Sequence, residues 1–424
     1  MIRLATNAFA GHGQVNWALA DQTLVSGANF LTALLLARAL GLEAFGVFTL
    51  AWMAVLLVNG LQHGLVTAPM MTIGPKQPAD GQRAYFGAML SHGAMFAVAA
   101  FAVLWGGGRL LGVVLDHTIP TDLALPVAAA AVACLLHDFM RRYFFMRGDG
   151  KAAFAIDAVR YVGQLAVIVA LFALAGDGVT VGGVVWALAV VAIAATAWGA
   201  TAVPRPVWDW PTITAVTARH WRFGKWLTLS AVLQWVAGNL FLIAAGALLG
   251  SAAVGALKAA QTLMGVTHVL FQGLENVAPA DAARHLERHG AAGLAAYLRA
   301  IAMAGGGATA LVALLAIAAP GFWLDLVFGG DYAAHGHLLR WYAVIYLAIF
   351  AALPLRIGLR TLERTREIFT AYLCMGALTV AAAYPLVLAW GTDGVCAGLL
   401  AGNLVLAAVL WRGLRRALAR EAGP

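Results

Sequence analysis

Apolar residues along this chain come in blocks close to 20 residues long, broken by short polar or glycine-rich stretches. An α-helix needs about 20 such residues to cross roughly 30 Å of hydrocarbon. The blocks predict twelve transmembrane helices at roughly 17–40, 44–69, 84–106, 121–145, 153–175, 179–201, 224–249, 252–278, 294–318, 336–357, 368–390 and 393–411. Glycine marks several turns, at Gly41, Gly176, Gly250 and Gly391. The predicted class is an all-α integral membrane protein of about twelve helices in two six-helix repeats around a central cavity.

Composition strengthens this picture. Of 424 residues, 62% are hydrophobic and 11% charged, too little polar surface to cover a water-soluble exterior. The 47 glycines are costly in soluble helices, yet small residues let membrane helices pack closely. Cys134, Cys374 and Cys396 fall inside apolar blocks with no metal-ligand spacing, so no disulfide framework and no metal site is expected. Residues 1–16 lack the h-region of a secretory signal, and the first span is expected to act as its own insertion signal.

The net charge of +8 would suit a nucleic-acid binder, but its placement argues against one. Basic residues crowd alternate loops: Arg3, then Lys76 and Arg83, then Arg141 to Lys151, then Arg205 to Lys225. Arg284 to Arg299, Arg356 to Arg366 and Arg412 to Arg420 continue the same side. By the positive-inside rule that side is cytoplasmic, with both termini there and an even number of spans.

A shift of 209 residues lays helices 1–2 on helices 7–8. Leu40, Gly41, Ala44 and Gly46 then meet Leu249, Gly250, Ala253 and Gly255. Gly64 and Leu65 meet Gly273 and Leu274. At a shift of 216, Asp177 and Gly182 meet Asp393 and Gly398. The expected domains are a six-helix bundle at 1–203, a cytoplasmic connecting loop at 204–223, and a second bundle at 224–424. Parallel repeats of this kind belong to transporters whose substrate site lies between the halves.

The stretch SGANFLTALLLARALGLEAFGVFTLAW, followed by a helix ending LVTAP, resembles the opening of bacterial polysaccharide transporters. These form the O-antigen flippase-like branch of the multidrug/oligosaccharidyl-lipid/polysaccharide (MOP) flippase superfamily. The match is strongest over helices 1–2 and extends along the chain through topology and repeat. It implies a flippase moving lipid-linked oligosaccharide or polysaccharide repeat units across the bacterial cytoplasmic (inner) membrane by alternating access. The implied partners are an undecaprenyl-pyrophosphate-linked glycan, membrane lipids and other polysaccharide-assembly proteins, with no cofactor.

Polar residues inside spans are costly and usually face a cavity or a partner. In helix 8, Lys258, Gln261, Gly265, His268, Gln272 and Glu275 recur every three or four residues and so share one face. One reading is a wet cavity wall with Lys258 attracting phosphate; the plainer one is hydrogen bonding between helices. Asn29 in helix 1 and Asn59 and His63 in helix 2 extend the polar face, His63 also suiting a bonded core histidine. Asp21, near the cytoplasmic end, is an ion-coupling candidate in an expected solvated setting. Arg141 and Arg142 suit a pyrophosphate bidentately, or else form a surface ion pair with Asp138 at i+3 or i+4. Arg38 is expected to snorkel to the membrane interface, and Arg160 and Arg340 are weaker cavity candidates.

Several chemistries are excluded by motif. GxxxxGK[ST], HExxH and GxSxG are all absent. A glycan polymerase or ligase would need catalytic residues in a sizeable outer loop. The longest, 107–120 and 319–335, offer only Asp116, His117, Asp325 and Asp331. A non-enzyme is expected. The remaining alternative is a multidrug or cation antiporter of the same superfamily, which would favour buried carboxylates.

Overall fold

A computed structural model describes residues 2–78, 80–114 and 121–421, with side chains described from Trp17 onward except at 111–114, 177, 276 and 280. The side chains of Arg3 and Asp177, and the residues Asp116 and His117, lie outside those described. The elements are α1 (Ile2–Gln62), a π-helical turn at His63–Thr67, α2 (Ala68–Ile73), α3 (Gln82–Val114), α4 (Ala124–Met146), α5 (Gly150–Ala175) and α6 (Val181–Ala200). They continue with α7 (Trp210–Leu249), α8 (Ser251–Met264), α9 (Thr267–Ala318), α10 (Pro320–Phe328), α11 (Gly330–Ala333), α12 (Gly336–Thr361) and α13 (Thr365–Glu421).

Three of these helices are two arms joined at a left-handed glycine: Gly41 in α1, Gly290 in α9 and Gly391 in α13. Taken unbroken, nine stretches among the described residues are long and apolar enough to span a membrane. Dividing two of them at Gly41 and Gly391, and adding α8 with the first arm of α9, gives the expected twelve. The protein is multi-pass.

The repeat is visible in the backbone. Gly41 (φ 76, ψ 177) and Gly250 (φ 88, ψ 173) hold one conformation, which a residue with a Cβ hardly reaches. Gly176 (φ 51, ψ −128) and Gly391 (φ 57, ψ −133) share a second.

Contacts divide the chain into two compact units. One comprises Met1–Leu35 with Ala51–Val232; the other comprises Leu36–Leu50 with Leu233–Pro424. In the N-terminal unit, α4 is the central helix: its most apolar window is 72% buried. A run of alanines, including Ala128, Ala130, Ala131 and Ala133, lets its neighbours approach closely. Met70, Phe86, Met89, Phe139, Tyr143 and Ile156 close the core at one end. In the C-terminal unit α12, the fourth span of its half, is 67% buried and takes the corresponding place. Its own Leu338, Tyr342 and Leu353 are buried, as are Phe241 of α7 and Leu257 of α8 in the same unit.

The second unit also contains a reciprocal close approach. A Cβ on Gly46 would lie 1.8 Å from the Ser251 carbonyl oxygen, and one on Gly255 would lie 2.0 Å from that of Leu42. The shift of 209 residues carries one contact onto the other, Gly46 onto Gly255 and Leu42 onto Ser251, as a local two-fold requires.

Some boundaries differ from the expectation. The connecting segment 204–223 is largely helical, because Asp209 accepts from the Thr212 amide at 2.9 Å and Pro211 opens the first turn of α7. Trp208, Trp210, Trp221 and Trp226 are all exposed there, as residues anchored at a membrane interface are. The segment 319–335 is built largely of α10 and α11, with the Tyr332 hydroxyl donating to the Ala37 carbonyl at 2.9 Å. Exposed Arg38 donates to the Leu326 carbonyl at 3.5 Å beside it.

Candidate functional site

The N-terminal unit buries a connected set of charges where α1, α4 and α5 meet. Asp21 and Asp157 are fully buried, as is His137. Arg141 bridges the two carboxylates, donating through Nε to Asp157 at 2.6 Å and through a terminal nitrogen to Asp21. His137 Nε2 lies 3.4 Å from Asp157. Arg160 reaches the other ring nitrogen of His137 at 2.9 Å and the Cys134 sulfur at 3.1 Å, and it lies over the Tyr161 ring. One turn on, Gln164 donates to Thr32 at 2.7 Å. One oxygen of Asp21 has no partner among the described residues.

This setting corrects one expectation and decides between the alternatives of another. Asp21 is not solvated, because Arg141 draws it into the bundle. Of the two possible partners for Asp138, the structure takes Arg142, at 2.8 Å, while Arg141 turns to the neighbouring helices. Both positions are neighbours of Asp138 on the helix, but Arg141 lies on the side toward α1 and α5, where Asp21 and Asp157 engage it. Its guanidinium is engaged by carboxylates, while Arg142, partly exposed, bonds Asp138 and reaches the Met71 sulfur at 3.7 Å.

Asn29, Asn59 and His63 belong to the same unit. Asn29 is exposed and Asn59 is half-buried. His63 is half-buried in the π-helical turn and bonds Thr67 at 3.0 Å. The preceding Gln62 is fully buried with neither side-chain end bonded.

The stripe of helix 8 lies in the C-terminal unit. It crosses a tight turn at Gly265–Val266, where the Gly265 amide is shared between the carbonyls of Gln261 and Thr262. On the α8 side, Lys258 donates to Gln261 at 2.9 Å. Beyond the turn, exposed His268 packs on Phe271 and Tyr346, and Glu275 accepts from Arg356 at 2.9 Å. Gln272 is half-buried. The Tyr346 hydroxyl donates to the Gln261 carbonyl at 3.3 Å, so much of the stripe faces α12. Gln261 lines a cavity of about 210 Å³, together with Tyr342, Tyr346, Arg356, Tyr372 and Asn403.

Arg356 is the clearest correction among the bases. The charge pattern groups it with the cytoplasmic bases at the end of the predicted span 336–357, yet it lies more than a turn inside α12, bonded to Glu275 and to the Tyr372 hydroxyl at 2.7 Å. Asp157 also escaped the sequence reading. Its spacing to Arg160 and Gln164, three and then four residues inside an apolar helix, is the signal that would have found it.

No family model and no curated relative matches the chain. Solved structures do match over nearly its whole length. An inward-facing multidrug resistance MATE family transporter of the MOP superfamily aligns with TM-score 0.75 and 15% identity, covering 95% of this chain and 96% of that one. The lipid II flippase MurJ aligns with TM-score 0.72 and 9% identity, covering 96% and 90%. A MOP superfamily transporter from Pyrococcus furiosus, described by the reverse polarity of its binding pocket, aligns with TM-score 0.59 and 16% identity, covering 100% and 96%. Identities this low establish architecture alone, and the fold of this chain is the twelve-helix fold of the MOP-superfamily transporters.

Proposed function

We propose that this protein is a flippase for an anionic lipid-linked oligosaccharide or polysaccharide repeat unit. In this reading it works by alternating access in the bacterial inner membrane, with both termini cytoplasmic, as a step of cell-surface polysaccharide biosynthesis. The observation that carries the reading is the charge balance inside the spans. Asp21 and Asp157 share Arg141, Asp138 holds Arg142, and Glu275 holds Arg356. Lys258 and Arg160 bond only uncharged side chains among the described residues. The surplus inside the bundle is therefore basic, which suits a cargo bearing phosphate rather than a cation. Lys258 is the proposed attraction for that phosphate, and Gln261, His268, Gln272, Glu275, Asn29, Asn59 and His63 are the proposed polar contacts. Arg142 is the proposed phosphate contact at the inner end, with Arg141 beside it. The likeness to the lipid II flippase supports the cargo class.

The test uses purified protein in liposomes loaded with a fluorescent undecaprenyl-pyrophosphate-linked oligosaccharide. Protein-dependent exchange between leaflets is expected, and exchange no faster than in empty liposomes refutes the proposal. In cells, deletion should strand lipid-linked repeat units in the cytoplasmic leaflet and deplete surface glycan.

A multidrug or cation antiporter is the second reading, favoured by the likeness to the MATE transporter and by the buried Asp21–Asp157 pair. It requires that deletion sensitise cells to cationic drugs while surface glycan stays intact. The proposed ion-coupling residue in either case is Asp21.

A further inference from the structure

The cavity of the C-terminal unit has walls from α7, α8, α12 and both arms of α13. Ile345, Ile349, Met375, Leu399 and Leu406 give it an apolar side. No carboxylate is among its lining residues. Several of its polar groups are incompletely bonded. Tyr342 is 1% exposed, and its hydroxyl has no partner among the described residues. The Arg356 Nε has none either, although its terminal nitrogens serve Tyr372 and Glu275. Tyr372 accepts from Arg356, which leaves its own hydroxyl proton for another acceptor.

The unfilled capacity is thus one of donors. A guanidinium and two phenol hydroxyls in one cavity match the oxygens of a carboxylate or phosphate. Lys258, bonded to Gln261 of the cavity wall, adds a second positive charge, while Glu275 accepts from Arg356 beside the site. At about 210 Å³ the space equals about seven water volumes, enough for an acid with a single sugar ring.

We infer that this cavity binds the oxyanion of a small organic acid or phosphate ester, held by Arg356 with Tyr342 and Tyr372, its carbon skeleton against the apolar wall. The site is complete within one unit and stands whether or not the chain flips lipid-linked glycans.

The experiment titrates glucuronate, and separately glycerol 3-phosphate, into the full-length protein in phosphatidylcholine nanodiscs by calorimetry. Saturable one-site binding of at least one probe is expected, weakened at least tenfold by Arg356→Gln and at least fivefold by Tyr342→Phe. The second variant removes one oxygen and preserves packing, so it reports even if the first fails to fold. Repeating the titration with phosphatidylglycerol in the disc separates the sources: competition points to a lipid headgroup, and unchanged affinity points to a soluble acid. Binding of neither probe, as for a cavity holding only water, overturns the inference. So does binding that Tyr342→Phe leaves intact.

Discussion

Replacing Gly46 by alanine tests the repeat at its tightest point. The new Cβ would stand 1.8 Å from the Ser251 carbonyl oxygen and 2.6 Å from its carbon, both backbone atoms that no rotamer change can move. Reaching ordinary contact at 3.4 Å requires the two helices to part by about 1.6 Å. Overpacking of this kind costs about 1–3 kcal/mol. At roughly 2–4 °C per kcal/mol for a unit of this size, thermal unfolding in detergent should fall by several degrees. Gly255→Ala should behave alike, because its Cβ meets the Leu42 carbonyl at 2.0 Å. The double variant should lose less than the sum, since the first alanine already parts the helices. Gly60→Ala is the control: its Cβ meets nothing within 4 Å, and alanine in a helix interior is favoured over glycine by about 0.5–1 kcal/mol. Intrinsic fluorescence against temperature measures all four. Equal midpoints for Gly46→Ala and Gly60→Ala would sink the claim that this crossing depends on glycine.

Further outcomes are expected elsewhere. Gly41→Ala and Gly250→Ala should each destabilise by about 1–3 kcal/mol without any clash, because both hold φ and ψ values that suit only glycine; unchanged melting would disprove the strain. Arg141→Ala leaves two buried carboxylates uncompensated and should cost about 3–5 kcal/mol, seen as lost folded yield. Adding Asp157→Asn to it should restore part of that yield, and no recovery would show that the loss is one of packing. Lys258→Ala should lower flux in liposomes with expression intact, and wild-type flux would remove Lys258 from the mechanism. At the start of α7, hydrogen bonds from Thr212 hold the Asp209 carboxyl below its ordinary value of 3.8. Its capping is therefore complete above that value and is lost as pH falls through the lower folded value. Amide exchange at Thr212 and Ile213 should accelerate only below pH 3.8, and acceleration already at pH 5 would contradict it.

Much of the architecture was legible because the bilayer enforces a simple code. Block length gave the spans to within a turn at most ends, and glycine spacing marked Gly41, Gly176, Gly250 and Gly391, which all proved left-handed. The functional side chains were harder to read. Asp21 reads as a solvated carboxylate when only its distance from the helix end is known; it is buried because Arg141, 120 residues away, comes to meet it. Arg356 reads as a loop base for the same reason, since Glu275 and Tyr372 are its neighbours only in space. The helix 8 stripe is legible as a spacing, but the turn at Gly265–Val266 that it crosses and its partners on α12 were invisible to periodicity, which names a face and not what it meets.

The sequence by itself determined the membrane class, the twelve spans and the glycine-marked repeat, because hydrophobic length and backbone freedom are local properties of the chain. The tertiary structure alone decided which charges are neutralised and which donors stay unpaired. Those depend on side chains far apart in sequence converging where water cannot make up a missing partner.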